Sequence, residues 1–355
     1  MNGAEPAEAR GTLKELKNKA VELFSAYDSI ILLTHRNPDG DAIGSVAATA
    51  LTLAQCGKKP VVLINEIKSE ETRFLADGIG KYVIYAADAE SVPVPGENDL
   101  VALLDCANSD RVDKCFSDLV KNAAHVVKID HHIDSGDSVR YEANVTDDRA
   151  AAACEVLYDI LFPLAGKYGF TPGREIALKL YGGIMTDSGR FTYSCTTGNT
   201  MRVAGALLDI IDGDVSWMAK KYYDIKPLHS LRLLGIALLN TRIFAEGRVA
   251  VLAIRDEYYL QAGGKPGDVG YIIPELMNVE GVRIAAVIKP AEEGDDREFR
   301  VSMRSTEEYS VAAICGRLGG GGHKCAAGAT VYADNIDAAF ETVRDLCLEA
   351  LEERH

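Results

Sequence analysis

Tryptophan occurs once in the 355-residue chain, aromatic residues make up only 7% of it, and 38 Lys and Arg face 53 Asp and Glu. The formal net charge is therefore −15. A surface that grips long nucleic acid needs spread positive charge and stacking platforms, so both shortages argue against that role. They leave room for a local basic pocket that holds a short anion. No stretch approaches the ~18 uninterrupted apolar residues of a membrane span. The apolar run from Ala150 to Ala165, for instance, is broken by Glu155 and Asp159. Met1 to Ala9 lack the basic and apolar regions of a secretion signal. None of the eight cysteines forms a CxxC pair, and without such a signal they read as reduced thiols of a cytoplasmic protein. Repeats and low-complexity tracts are likewise absent. What is present, 47% hydrophobic and 26% charged residues, is ordinary globular composition, and the length suggests about two domains.

Short apolar runs at Ser29–Thr34, Pro60–Ile64, Leu100–Leu104 and His125–Ile129 alternate with helical patterns, one of them from Asp41 to Cys56, closed by Gly57. Continuously apolar strands that alternate with helices predict an α/β fold, a parallel sheet with helices on both faces. Helical texture continues from Gly198 to Tyr223, is interrupted at Lys226-Pro227, and resumes over His229–Leu239. After Asn240 it changes: Thr241–Phe244 with Val249–Ile254, and Val282–Ile288 with Glu298–Met303, read as strand pairs before a closing helix over Asp334–Glu349. The expected layout is a first domain over 1–222, a helical connector over 223–242 and a smaller C-terminal α/β domain over 243–355.

Parallel sheets bind ligands at the carboxyl ends of their strands. There this sequence places His35-Arg36-Asn37-Pro38-Asp39-Gly40-Asp41, then Asp105, then Asp130-His131-His132, while a later helix ends in Thr186-Asp187-Ser188-Gly189-Arg190. Taken singly, an Asp at a strand end is a turn former or helix cap, Asp41 suits the N-cap of the helix after it, and a lone His is a structural residue. Four such clusters in one domain are harder to explain as turns. Carboxylate oxygens mixed with imidazole suit a small divalent ion such as Mn²⁺. So many converging carboxylates repel unless cations compensate, as two metals about 3.5–4 Å apart would.

A second feature is Gly319-Gly320-Gly321-Gly322-His323-Lys324, followed by Ala326-Ala327-Gly328. Consecutive glycines expose backbone N–H groups to an anion, although a flexible loop after a helix would look the same. Arg304, at the end of a strand pattern, suits a bidentate phosphate contact or an exposed strand-end charge.

The segments 35–41, Asp105, 130–132 and 186–191 resemble, in order, the four motifs of the DHH phosphoesterase family. The Gly320–Gly328 segment, preceded by Met303-Arg304-Ser305, is similar to the C-terminal substrate-binding domain associated with that family. Within it, the length and layout are most like the nanoRNases, which hydrolyse oligoribonucleotides of two to five residues and adenosine 3′,5′-bisphosphate. The resemblance implies two Mn²⁺ ions, with Mg²⁺ or Co²⁺ as substitutes. His35 and Asp39 would bind one, Asp41, His131 and Asp187 the other, and Asp105 would bridge them. Asp130 would orient His131, and His132 would face the substrate phosphate, so His132, Asp105 and Asp130 are the expected catalytic residues. Arg304, His323, Gly320, Gly321, Gly322 and Arg190 are the expected substrate contacts. Expected partners are short RNA, dinucleotides and adenosine bisphosphate rather than long duplexes or membranes; a homodimer stays open.

Other readings remain at this point: a linear or cyclic dinucleotide phosphodiesterase, a RecJ-like single-strand DNA exonuclease, a pyrophosphatase or exopolyphosphatase, and a non-catalytic nucleotide-binding regulator. A regulator should have lost one of Asp39, Asp41, Asp105, His131 or Asp187, and all five are present.

Overall fold

Runs of Val, Ile and Leu dominate β1 (Ser29–Leu33), β2 (Lys59–Ile64), β4 (Asp99–Leu104) and β5 (His125–Asp130); the shorter β3 (Val83–Tyr85) and β6 (Ala143–Thr146) complete a six-stranded sheet. Its order is β3-β2-β1-β4-β5-β6 and every pairing is parallel. Alternate residues point to opposite faces, and both faces are dry. Ile30, Leu32, Ala102, Val127 and Ile129 belong to one core layer, whereas Ile31, Leu33, Val101, Leu103 and Val126 belong to another with Phe116 and Val120. That double burial is why the strands read as unbroken apolar runs.

The computed structural model describes residues 12–67, 70–133, 136–291 and 297–352, and the chain forms two compact units, 1–225 and 226–355. The helices of the first unit are α1 (Leu13–Ala26), α2 (Gly40–Gln55), the single turn α3 (Glu70–Arg73), α4 (Lys114–Asn122), α5 (Ala153–Lys167), α6 (Arg174–Asp187), α7 (Gly198–Ile211) and the short α8 (Ser216–Ala219). Between β2 and β4 a helical pattern was expected. The described part of that segment holds α3, β3 and isolated 3₁₀ turns instead. Gly78, at φ 85°, and Pro93 and Pro95 prevent a continuous helix there.

The second unit contains β7 (Arg242–Phe244), β8 (Val249–Ala253), β9 (Ile284–Pro290), β10 (Glu298–Ser305), β11 (Gly321–His323) and β12 (Ala326–Tyr332). They form a mixed sheet ordered β11-β12-β10-β9-β8-β7, in which only β8 and β9 run parallel. Its helices are α9 (Leu228–Asn240), α10 (Asp256–Ala262), α11 (Ile272–Met277), α12 (Val311–Arg317) and α13 (Ile336–Glu352). The stretch expected as a connector, 223–242, spans the division between units, and α9 buries Leu233 and Ala237 in the second unit's core. The glycine run, expected as a loop, becomes the edge strand β11: Gly321, Gly322 and His323 pair with Gly328, Ala327 and Ala326. A Cβ on Gly322 would lie 2.5 Å from the Ala326 carbonyl oxygen, so glycine is what lets the two strands approach. No described helix is long and apolar enough to cross a membrane.

Candidate metal centre

The strand order reverses at β1, whose neighbours are β2 on one side and β4 on the other. The crevice at such a switch point is where open α/β sheets bind ligands. The segment 35–41 leaves the end of β1, Asp105 directly follows β4, and Asp130, the last residue of β5, leads into His131 and His132. Because β1, β4 and β5 are adjacent and parallel, three groups remote in sequence emerge side by side.

Two helices complete the site. Asp39 is the N-cap of α2, accepting from the Asp41 and Ala42 N–H groups, both at 3.1 Å. The expectation that Asp41 would cap this helix is thus corrected: the cap falls two residues earlier, and α2 starts at Gly40. Asp41, fully buried, turns to α5 instead and accepts from the Ala153 and Cys154 N–H groups at 2.5 and 3.0 Å. It supplies the cap that Ala152 cannot. Asp187 is the last residue of α6, an end of negative dipole where an acid is disfavoured unless a cation is near. The two helices meet through small residues. A Cβ on Gly44 would lie 2.7 Å from the Lys179 carbonyl oxygen, and one on Gly183 would lie 2.8 Å from Asp41 Oδ1.

Asp105 occupies the centre. Its backbone adopts a left-handed conformation, φ 52°, and its N–H donates to the Ile129 carbonyl at 3.0 Å. Strain of this kind persists where surrounding structure over-determines it, as at functional sites. Oδ2 of Asp105 lies 3.6 Å from His35 Nε2, which is 3.8 Å from Asp39 Oδ2. Oδ1 lies 3.5 Å from His131 Nε2, itself 3.1 Å from Asp187 Oδ2 and 3.9 Å from Asp41 Oδ2. The donor sets His35/Asp39/Asp105 and Asp41/His131/Asp187 each gather within 4.8 Å, as does Asp105/His131/His132. Asp130 bonds His132 Nδ1 at 2.9 Å; the partner expected from the resemblance was His131. Its carboxylate on β5 points to the nearer ring, which also lies 3.7 Å from Asp105 Oδ1.

The electrostatics are those of an anionic cluster. Burial pushes the Asp41 carboxyl well above the ordinary range, and the Asp105 and Asp187 charges add to it. The same causes raise Asp39 to about 6. Burial would raise Asp105 too, but the His131 and His35 imidazoles outweigh it and hold it low. Burial would lower His131; its carboxylate neighbours Asp105, Asp187 and Asp41 raise it instead to about 12. Asp105 Oδ1 and His131 Nε2 are both buried without a hydrogen-bond partner. Buried polar atoms are rarely left so. Orphaned donors in mixed carboxylate and imidazole sets fit small divalent cations, which would satisfy these atoms and offset the repulsion.

Of the other expected contacts, Arg190 belongs to the first unit, and Arg304 and the glycine run belong to the second. Arg190, at φ 59°, bonds Asp224 Oδ1 at 2.8 Å and stacks over the Tyr223 ring. Arg304 lies on β10 and donates to its neighbour's carbonyl, Met303 O, at 3.0 Å. Gly320 precedes β11, Gly321 and Gly322 lie within it, and the His323 side chain falls outside the described part of the structure. The sequence reading missed the amide donors of Ala153 and Cys154 and the buried Glu155. Glu155 accepts from Ala151 N–H, Asn199 and Thr200, and so fastens the start of α7 to the start of α5. A lone acid interrupting the apolar run 150–165 was the signal available for it.

Comparison with known proteins places the chain in a family. Residues 29–184 match the model of the DHH family, N-terminal domain, and residues 246–349 that of the DHHA1 domain. The chain is 32% identical over 332 residues to the bifunctional oligoribonuclease and PAP phosphatase NrnA of Thermus thermophilus, covering 93% of each. It is 28% identical over 336 residues to the protein of the same name from Bacillus subtilis, covering 94% of this chain and 99% of that one. A solved structure, an exopolyphosphatase-related protein from Bacteroides fragilis, superposes with a TM-score of 0.82 at 21% identity over 98% of both chains, a shared fold. With its motifs gathered at the switch point of the first sheet and the DHHA1 domain following in the sequence, the chain belongs to the DHH phosphoesterase family.

Proposed function

We propose that the protein is a divalent-metal-dependent hydrolase that cleaves oligoribonucleotides of two to five residues to mononucleotides and adenosine 3′,5′-bisphosphate to AMP. The observation that carries this reading is the placement of Asp105, whose two oxygens face two different sets of imidazole and carboxylate donors. His35 and Asp39 would hold one ion, Asp41, His131 and Asp187 a second, with Asp105 between them; Mn²⁺ suits the donors. Such ions supply Lewis-acid charge at a phosphoryl group and a nucleophile at neutral pH.

The chain's own groups do the rest. Asp41 is fixed by two amide donors from α5, so its carboxylate cannot swing away when the substrate arrives. Asp130 accepts from His132 Nδ1, which fixes the ring. His132 would act on a phosphoryl oxygen where negative charge develops. Arg304 is a planar, permanently charged group suited to a phosphate. The substrate class is supported by the relatives in Thermus thermophilus and Bacillus subtilis, which bear the name oligoribonuclease and PAP phosphatase.

The test is a Mn²⁺-dependent hydrolysis panel: adenosine bisphosphate, RNA of two to five residues, a cyclic dinucleotide, pyrophosphate and long single-stranded DNA. Cleavage of the first two groups in preference to the rest is expected. Turnover of long DNA alone, or of pyrophosphate alone, would overturn the reading.

A further inference from the structure

The second unit's sheet is covered unevenly. On one face, Phe299, Val301 and Met303 of β10 and Ala327, Ala329 and Val331 of β12 are buried in a core shared with α12 and α13. On the other face, Ala250, Leu252, Ala285 and Val287 of β8 and β9 pack in the core that α9, α10 and α11 share. That cover thins over β10, where Arg300 and Ser302 are exposed. Antiparallel pairing sets Glu298 opposite Tyr332, Arg300 opposite Thr330, Ser302 opposite Gly328 and Arg304 opposite Ala326, so these side chains share that face. A cavity of about 560 Å³ lies there, lined by Arg300, Ser302, Thr330 and Tyr332 and by the backbone of Gly320 and Gly328. That is within the range of small-molecule sites, ~300–1,000 Å³.

We propose that this cavity is a further nucleotide subsite, in which a base of single-stranded RNA stacks on Tyr332 while the adjoining phosphate lies against Arg300. The inference rests on the proposed hydrolysis of short oligoribonucleotides and deepens it, by saying where the nucleotides beyond the terminal one are held. Tyr332 is 73% exposed, a large aromatic face kept in water in a chain with few aromatics. A base stacked on such a ring is worth ~1–3 kcal/mol and is tolerant of sequence. Arg300 donates to Thr330 Oγ1 at 2.9 Å and pairs with Glu298 at 3.1 Å, so its guanidinium is steadied against the sheet. Lys289 of β9 stands opposite Arg300 in register and adds positive charge on the same face. Gly328 places no side chain between Ser302 and the neighbouring edge, which leaves space for a ribose. Four residues of strand separate Arg300 from Arg304, ~13 Å along β10. A terminal nucleotide held at Arg304 therefore leaves room for its neighbours along the same face. A single exposed tyrosine or a surface ion pair is ordinary; a cavity lined by both is not.

The experiment compares di- and pentaadenylate on the full-length protein. Tyr332→Ala should lower the ratio of kcat/KM for pentaadenylate to that for diadenylate by about tenfold. Tyr332→Phe, which keeps the ring, should retain the ratio, and Arg300→Ala should lower it. Calorimetric titration of chelator-treated protein, which leaves the RNA uncut, should show pentaadenylate binding weakened about tenfold by Tyr332→Ala. A ratio or a metal-free affinity that Tyr332→Ala and Arg300→Ala leave unchanged overturns the subsite, as does an equal loss on both lengths. A wild-type protein that fails to hydrolyse diadenylate overturns the proposed reaction instead, and the metal-free titration still judges the subsite.

Discussion

Asp105 combines a strained backbone, full burial and an orphaned oxygen between two imidazoles. Asn tolerates the left-handed region and keeps the size of the side chain, so Asp105→Asn should fold normally, as judged by circular dichroism. Its Mn²⁺-dependent turnover of diadenylate should fall by more than ~100-fold, beyond the loss expected for a residue that only orients a metal ligand. The protonation of the cluster makes a second prediction. The pKa of Asp39 is raised in the folded protein, to about 6, and that of Asp41 is raised as well. A raised carboxyl contributes stability that is present below its ordinary value, ~3.9, and is lost as pH rises through the folded value. His131, also raised, adds a decline at higher pH. Metal-free protein should therefore lose thermal stability between pH 5 and pH 7. Asp39→Asn, which preserves the N-cap of α2, should flatten that slope, and Mn²⁺ should abolish it. Thermal melts in chelator across this range provide the check. The types of these residues and their order along the chain were legible in the sequence. Which carboxylate caps which helix was not, because the donors to Asp41 lie 112 and 113 residues away on α5.

At the scale of elements, the α2–α6 crossing decides whether Asp41 and Asp187 can serve one centre. Gly40, Gly44 and Gly183 allow it, and a Cβ on Gly40 would collide with the Thr186 side chain. Gly40→Ala should cost about 1–3 kcal/mol by overpacking, read as a lower urea midpoint with unchanged slope, and should weaken Mn²⁺ binding in calorimetric titration. A variant as stable as wild type, with unchanged affinity, would show that the crossing is not what spaces the carboxylates. The central strands β1, β2, β4 and β5 were legible because burial on both faces makes them continuously apolar. β3 and β6 were not. They are edge strands of three and four residues, and their pairing with β2 and β5, rather than any pattern of their own, makes them strands. β11 was hidden in the same way: four glycines read as a loop until Ala326–Gly328 is there to pair with them.

At the scale of the molecule, the candidate metal donors among the described residues lie in the first unit, residues 1–225. Mn²⁺ at 100 times its dissociation constant should stabilise that unit by ~2.7 kcal/mol per site. Calorimetry should resolve two transitions and show Mn²⁺ shifting only one of them; a shift of both, or of neither, counts against this placement. Chelation should abolish hydrolysis and added Mn²⁺ restore it. The net charge of −15 takes on a narrower meaning as well. Part of it is a carboxylate cluster that cations would neutralise, while the second unit presents Arg300 and Arg304 on one face.

The sequence by itself determined the candidate donors and the fold class. Residue types, their order and their position after apolar runs depend only on local pattern, and local pattern carried the two-unit α/β architecture and the family. The tertiary structure decided the partnerships. Strand order brought the ends of β1, β4 and β5 together, close helix packing set Asp41 against α5 and near Asp187, and antiparallel register put Tyr332 and Arg300 on the face that carries Arg304. Each of these is a contact between residues far apart in the chain, set by packing and backbone pairing, and no local pattern records them.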